Sequence, residues 1–283
     1  MYPTAIQRAP RAVELGYKIS LPIALIIWLL PLCAVVLTSM RSLADITQGN
    51  YWGLPTEWQI LENYTTVFTA TPMALYLLNS VIVTVPTVII TVGISAMAGF
   101  ALAKYRFRGN VLLFAMFVAG NFIPFQILMI PVRDLMVQLG MYNTYWSLIL
   151  FHIAFQAGFC TLFMRNFIQA LPHELIEAAR VEGATEFEVF WYVVVPLVRP
   201  ACAALAVLVF TFIWNDYFWA LVLVQDDAVR PVTVGLAALR GQWVASWQLV
   251  SAGSLIAALP PVIMFFAMQR HFIAGLTLGA TKG

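Results

Sequence analysis

The chain is 283 residues long, 62% hydrophobic and only 10% charged, with a formal net charge of +2 and a mean hydropathy of +0.87. Soluble domains are about half apolar and about a quarter charged, so the composition excludes a soluble globular protein and identifies an integral membrane one. The small net charge gives no footing for nucleic-acid binding.

The apolar runs are continuous over the roughly 20 residues that a helix needs to cross about 30 Å of hydrocarbon. They do not alternate with period two, which argues for helices over a barrel. Six spans are expected in chain order, at 19–40, 74–98, 111–131, 146–164, 201–224 and 249–268. The first exceeds the roughly 7 to 15 residues of a signal-peptide core and reads as a retained helix, although "SLA" after it resembles a weak cleavage site. Cys33, Cys160 and Cys202 fall in apolar runs without CxxC spacing and read as small hydrophobes. No repeat, low-complexity tract or appended soluble domain interrupts the pattern, so residues 1–283 are expected to form a single membrane domain.

Six spans put both ends on one side. That side would carry Arg8, Arg11, Lys18, Lys104, Arg106, Arg108, Arg165, Arg180, Arg199, Arg270 and Lys282, against Arg41, Arg133, Arg230 and Arg240 on the other. Basic residues concentrate in cytoplasmic loops, so both termini are expected to be cytoplasmic. The outer segments, such as "YWGLPTEWQILENYTTVF", are rich in Trp and Tyr as an interfacial belt should be.

One long inner connection, about 165–199, holds "LPHELIEAARVEGATEFEVFWYVVVP". A helix is expected to start at Pro172, with His173 and Glu174 in its first turn and Gly183 as its stop. A second should begin at the capping box Thr185 to Glu188 and end at Pro196. From Glu174 to Glu188 the acids are Glu174, Glu177, Glu182, Glu186 and Glu188, against Arg180 alone. Anionic lipid would repel such a stretch. A protein partner with basic groups fits it, and Leu175, Ala178, Ala179 and Phe187 add apolar contact.

"EAARVEG", nine residues, then "VVVP" resembles the EAA motif of ABC importer permeases, carried here by Glu177, Ala178, Ala179, Gly183, Val193, Val195 and Pro196, with Glu182 where the family usually has Asp. "NSVIVT", "AGFALAKYRFRG", "IPFQILMIPVRDLMVQLGMYNTYWSLIL", "WNDYFWAL" and the terminal "GLTLGATKG" resemble the carbohydrate-importing, maltose-type branch. The resemblance implies an all-α inner-membrane permease with six transmembrane helices and a cytoplasmic two-helix coupling loop. It also implies partners: two ATP-binding subunits that seat the loop in a cleft, a second permease, usually an unlike chain, and an extracytoplasmic solute-binding protein. The tail, Thr277 to Gly283, would reach toward the same ATPases.

Independent of that resemblance, the three Lys are followed by Ile19, Tyr105 and Gly283, so no GxxxxGK[ST] loop exists. ATP and magnesium are therefore expected on a partner chain, with no cofactor, metal or catalytic residue here. His152, His173 and His271 are not paired at ligand spacing, and "GISA" lacks the second Gly of a nucleophile elbow.

Polar groups in hydrocarbon line a cavity or pair across helices. Asp216 is the only acid within an expected span, with Asn215, Trp214, Tyr217 and Trp219 around it. Rings with a carboxylate and an amide suit a sugar; an interfacial belt with a helix cap is the competing reading. Asn79, Asn121, Gln126, His152 and Gln156 are weaker candidates for the pathway, each compatible with an interhelical hydrogen bond. Pro86, Pro124, Pro131, Pro260 and Pro261 would allow kinks. The leading expectation is the permease of an ATP-driven importer of a sugar or sugar-like solute. An ion-coupled secondary transporter is the alternative, disfavoured by the lack of repeats and because only Asp216 and His152 are candidate intramembrane ionisable groups.

Overall fold

The computed structural model describes residues 10–51, 53–237, 239 and 246–280. Arg8, Arg240, Lys282 and the last three residues of the tail lie outside them. Helices make up the fold, and the described residues hold no strand beyond an isolated bridge between Arg41 and Trp58. Among the described residues five helices are long and apolar enough to cross a membrane, and the number is six if one bent pair is taken as a single span.

The chain divides into two compact units, one of residues 1–71 and 238–256, the other of 72–237 and 257–283. In the first, α1 (Arg11–Ser39) is apolar on every side and none of its hydrophobic window is buried, as suits a helix surrounded by lipid or by a partner. A small polar cap follows. Ser42 caps α2 (Leu43–Thr47), and the Asp45 carboxylate accepts from the Thr56 N–H at 2.9 Å and its hydroxyl at 2.6 Å. Arg41 is fully buried and donates to the Tyr51 and Gly53 carbonyls, while the Asn63 amide of α3 (Ile60–Ala70) donates to Ser39 and Arg41. Backbone groups that leave a helix are thereby satisfied without water.

The second unit is built on α4 (Met73–Lys104) against α7 (Tyr145–Gln169). Thr84, Thr87, Thr91 and Ser95 are buried along α4, small side chains that let two backbones close. At Gly99 the approach is tightest: a Cβ there would stand 2.8 Å from the Arg165 nitrogen and 2.9 Å from the Met164 Cβ.

The expected third span, 111–131, is not one helix. α5 (Asn110–Gly120) stops, the chain turns through Asn121 to Pro124, and a 3-10 turn (Phe125–Leu128) leads into α6 (Met129–Gln138), the two halves meeting at 90°. Pro124 cannot donate a helical hydrogen bond, and the Asn121 side chain takes up the Phe117 carbonyl at 2.8 Å.

The expected fifth span, 201–224, also differs. After α8 (His173–Val181), the helix that begins at α9 (Glu186–Glu188) runs through a π-helical turn (Val189–Val194) into α10 (Val195–Trp214), one span of 29 residues. Pro196 therefore does not end the second helix of the loop. The wide π turn ahead of it accommodates the missing N–H. The span breaks at Asn215 to Tyr217, before the short α11 (Phe218–Leu223). A 3-10 turn (Asp227–Val229), α12 (Val232–Ala237) and α13 (Trp247–Ala280) complete the chain.

Candidate functional site: an acidic elbow and a buried polar cluster

Pro172 precedes the first turn of α8, its fixed φ suited to a helix start. The helix ends in a Schellman motif. The Gly183 N–H donates to the Arg180 carbonyl and the Ala184 N–H to the Ala179 carbonyl, both at 3.0 Å, with Gly183 at φ +87°. Thr185 then opens α9 with the full capping box: its hydroxyl accepts from the Glu188 N–H and the Glu188 carboxylate accepts from the Thr185 N–H at 2.8 Å. Two helices thus meet at a bend that only the glycine can make without strain.

Helical spacing sorts the side chains of α8. Ile176 is buried, with Ala179 and Arg180 half-buried one turn on. Glu174, Leu175, Glu177, Ala178, Val181 and Glu182 all face outward, a surface of three acids interleaved with apolar groups. Phe187, beyond the bend, is 67% exposed. His173 pairs with Glu177 at 3.2 Å within the same helix when protonated. Val193 and Val195 are half-buried, and Pro196 is exposed.

Arg180 does not offset those outward acids, because Glu186 takes it in a two-point pair, Nε to Oε1 at 2.9 Å and Nη2 to Oε2 at 3.1 Å. That hydrogen bonding holds the guanidinium even above its ordinary range. The Tyr105 hydroxyl also donates to Glu186, and the Arg180 guanidinium lies 5.7 Å from the Tyr105 ring centre. Burial, followed by the bond to Glu186, pushes the Tyr105 hydroxyl up. Lys104 donates to the Leu171 carbonyl at 2.9 Å. Tyr105 and Lys104 stand in the sequence only as part of "AGFALAKYRFRG", with Lys104 also among the inner-side cations. They stand 81 and 67 residues from their partners, and no local pattern signals such pairing.

Of the pathway candidates, His152, Asp216 and Trp219 come together. His152 Nε2 lies 3.5 Å from Asp216 Oδ2, both side chains largely buried. Asp216 also caps α11, accepting from the Trp219 and Ala220 N–H groups at 3.3 and 3.0 Å. Trp219 packs on Phe151 at 3.8 Å between ring centres. Trp214 is buried and donates its indole N–H to the Ala257 carbonyl at 2.9 Å, whereas Tyr217 is exposed. Asn215 folds back on the Thr211 carbonyl and lines a cavity of about 530 Å³ with Val207, Phe212 and Phe265.

Asn121 and Asn79 lie elsewhere. Asn121 lines a cavity of about 350 Å³ with Phe117, Phe151, Phe155 and Gly158, where α5 and its bend meet α7. Asn79 is fully buried, donating to the Ala228 and Arg230 carbonyls and accepting from Tyr145 at 2.6 Å, so it anchors the segment after α11. Gln156 is buried and Gln126 exposed. No cluster of His, Cys, Asp or Glu that could hold a metal ion occurs among the described residues.

Comparison with known proteins places the geometry. Residues 59–278 match the family model described as the binding-protein-dependent transport system inner membrane component. The chain is 35% identical to the osmoprotective compounds uptake permease protein GgtD of Synechocystis, over 96% of this chain and 95% of that one. It is 34% identical to the arabinooligosaccharides transport system permease protein AraQ of Halalkalibacterium halodurans, over 89% and 91%. Its backbone is similar to a chain of a bacterial ABC transporter involved in import of the acidic polysaccharide alginate, at a TM-score of 0.78 and 24% identity over 96% and 99% of the two chains.

Proposed function

From the premise that this chain belongs to the family of binding-protein-dependent transport system inner-membrane components, we propose that it carries sugars or sugar-like solutes and is driven through the acidic elbow at residues 172–196. Membership makes it a multi-pass permease of an ABC importer, a non-catalytic membrane subunit, with hydrolysis on a separate ATPase. The family assignment also removes the ion-coupled alternative.

The observation that carries the elbow's role is the outward face of α8. Three carboxylates beside Leu175, Ala178 and Val181, with the Arg180 of the same helix already taken by Glu186, fit a cleft that is basic at its rim and apolar at its floor. In this reading Glu177, Ala178, Ala179, Glu182 and Gly183 make or shape the contact, and Pro196 lies in the helix that carries the motion onward. Two ATP-binding subunits hold ATP and magnesium, this chain binds neither, and a second permease completes the pathway. The chain acts as one permease domain.

The solute class rests on the named relatives, which include permeases for arabinooligosaccharides and for melibiose, raffinose and stachyose. His152 and Asp216 with Trp219, and the cavities at Asn121 and Asn215, supply rings and paired polar groups suited to a polyol. Charge supports an elbow facing the cytoplasm. Arg41 is buried, Arg133 lies beside Asp134 and Arg230 pairs with Asp227, while Arg106 and Arg108 make no ion pair among the described residues. A solute-binding protein would then dock at the end carrying the segment after α11.

The test is purification of the assembled complex from native membranes, identification of its chains, and measurement of ATPase with saccharide-loaded binding protein. Nucleotide-hydrolysing partners and stimulation by a saccharide are expected. A complex without an ATPase would refute the elbow's role, and stimulation only by non-saccharide solutes would refute the solute class.

A further inference from the structure

We infer that Tyr105, Arg180 and Glu186 form a clasp that makes the elbow one rigid lever and passes its motion to a second span, α4, as well as to α10. The inference rests on the proposed role of the elbow.

The two arms of the elbow are joined covalently only through Gly183 and its neighbours, and a Cβ at Gly183 would meet no atom within 4 Å. A bend with open space on one side can hinge. Across it, Arg180 near the end of α8 grips Glu186 at the start of α9 by two parallel hydrogen bonds. A planar guanidinium forked onto a carboxylate fixes orientation as well as distance. Because Glu186 opens the 29-residue span that includes α10, any push on α8 that the clasp transmits enters that span directly.

The third member connects elsewhere. Tyr105 follows Lys104, the last residue of α4, and reaches Glu186 through its hydroxyl while its ring lies near the Arg180 guanidinium. On the other shoulder, Lys104 holds the Leu171 carbonyl, immediately before Pro172 and α8. The end of α4 is therefore tied to both sides of the elbow. α4 packs along α7 with backbones nearly touching at Gly99, so displacement of α4 carries its neighbour. Arg180 and Glu186 side chains are 31% and 49% exposed, so water competes for the clasp and its members act as positioning residues.

The experiment uses the assembled complex with Tyr105→Phe, Arg180→Lys and Glu186→Gln. It reads solute taken up per ATP hydrolysed, half-saturating solute concentration and recovery of ATPase partners. Tyr105→Phe removes one oxygen and leaves the ring, so assembly is expected at the wild-type ratio and half-saturation is expected to stay put. Solute per ATP should fall by about three- to tenfold, the span set by a hydrogen bond to a charged group in a partly exposed site. Glu186→Gln should fall at least as far, and Arg180→Lys, which keeps charge but loses the fork, should lie between it and wild type. Unchanged solute per ATP in all three, with a wild-type complex that couples normally, overturns the clasp and leaves the elbow's role standing. A wild-type complex that contains no ATPase overturns both. Should Glu186→Gln fail to assemble, Tyr105→Phe decides.

Discussion

Gly183 gives the sharpest test of the elbow because its constraint is purely conformational. Its φ of +87° is a backbone state in which an L side chain costs roughly 1–2 kcal/mol, while a Cβ placed there meets nothing within 4 Å. A substitution thus strains the bend without disturbing the membrane-embedded core. A cost of that size shifts the ratio of bent to opened elbow by a factor of about 5 to 30. Asn tolerates the left-handed region best, Ala poorly and a β-branched residue worst. Coupling should therefore fall in the order Gly, Asn, Ala, Val, with membrane levels unchanged. Labelled-solute uptake, ATPase in membrane vesicles and an immunoblot of the membrane fraction together read this. Full uptake and normal stoichiometry in Gly183→Val would refute the argument. Equal damage from Asn and Val would show that steric contact with a partner, and not the backbone, dominates.

Three further outcomes are expected. Gly99→Leu should force α4 from α7 and lower thermal stability by about 1–3 kcal/mol, as overpacking does, measured by unfolding in detergent; an unchanged midpoint would contradict the close approach. Asp216→Ala removes the cap of α11 and leaves His152 without its partner, costing about 1–2 kcal/mol, whereas Asp216→Asn keeps a cap oxygen and should cost less. The same melting assay ranks them, and a wild-type midpoint for both would refute the capping role. The Thr56 hydroxyl bond holds the Asp45 carboxyl below its ordinary 3.8. That carboxylate stabilises its loop fully above the unfolded value, and the effect is lost as pH falls through the lower folded value. Proteolysis of the 41–58 segment should therefore increase on acidification in wild type and be pH-insensitive in Asp45→Asn, faster than wild type near neutrality and similar to it once the carboxyl is protonated.

Spans with an uninterrupted apolar run were legible: the helices at 73–104, 145–169 and 247–269 contain or nearly coincide with the expected ones. So were the glycine stop and the capping box of the elbow, since both are signals written in four or five consecutive residues. Two features were wholly or partly hidden. The 90° bend at Asn121 to Pro124 was expected only as a kink at Pro124, because the window-averaged hydropathy of the two halves together passes for one span and outweighs the polar Asn121. The passage of the helix through Pro196 was hidden because a π turn is a backbone register change with no residue signature of its own. In the polar cluster, Asp216 sits in a break and serves both as cap and as partner of His152. Sequence spacing offered cap and ligand as rivals, and a separation of 64 positions concealed the histidine.

The helix from Glu186 to Trp214 has 29 residues, about 43 Å at 1.5 Å per residue, against a hydrocarbon layer of about 30 Å. Held near the bilayer normal, about a dozen ångströms of it would project beyond the oily slab, and with that excess at the elbow end the membrane would act as a fulcrum set off-centre along the beam. Tilting that beam by ten degrees swings one tip relative to the other by about 7 Å, with no bond broken in between. Under the proposed role of the elbow, gearing of this kind would turn a modest nudge in water into a side-chain-sized opening on the far side of the bilayer.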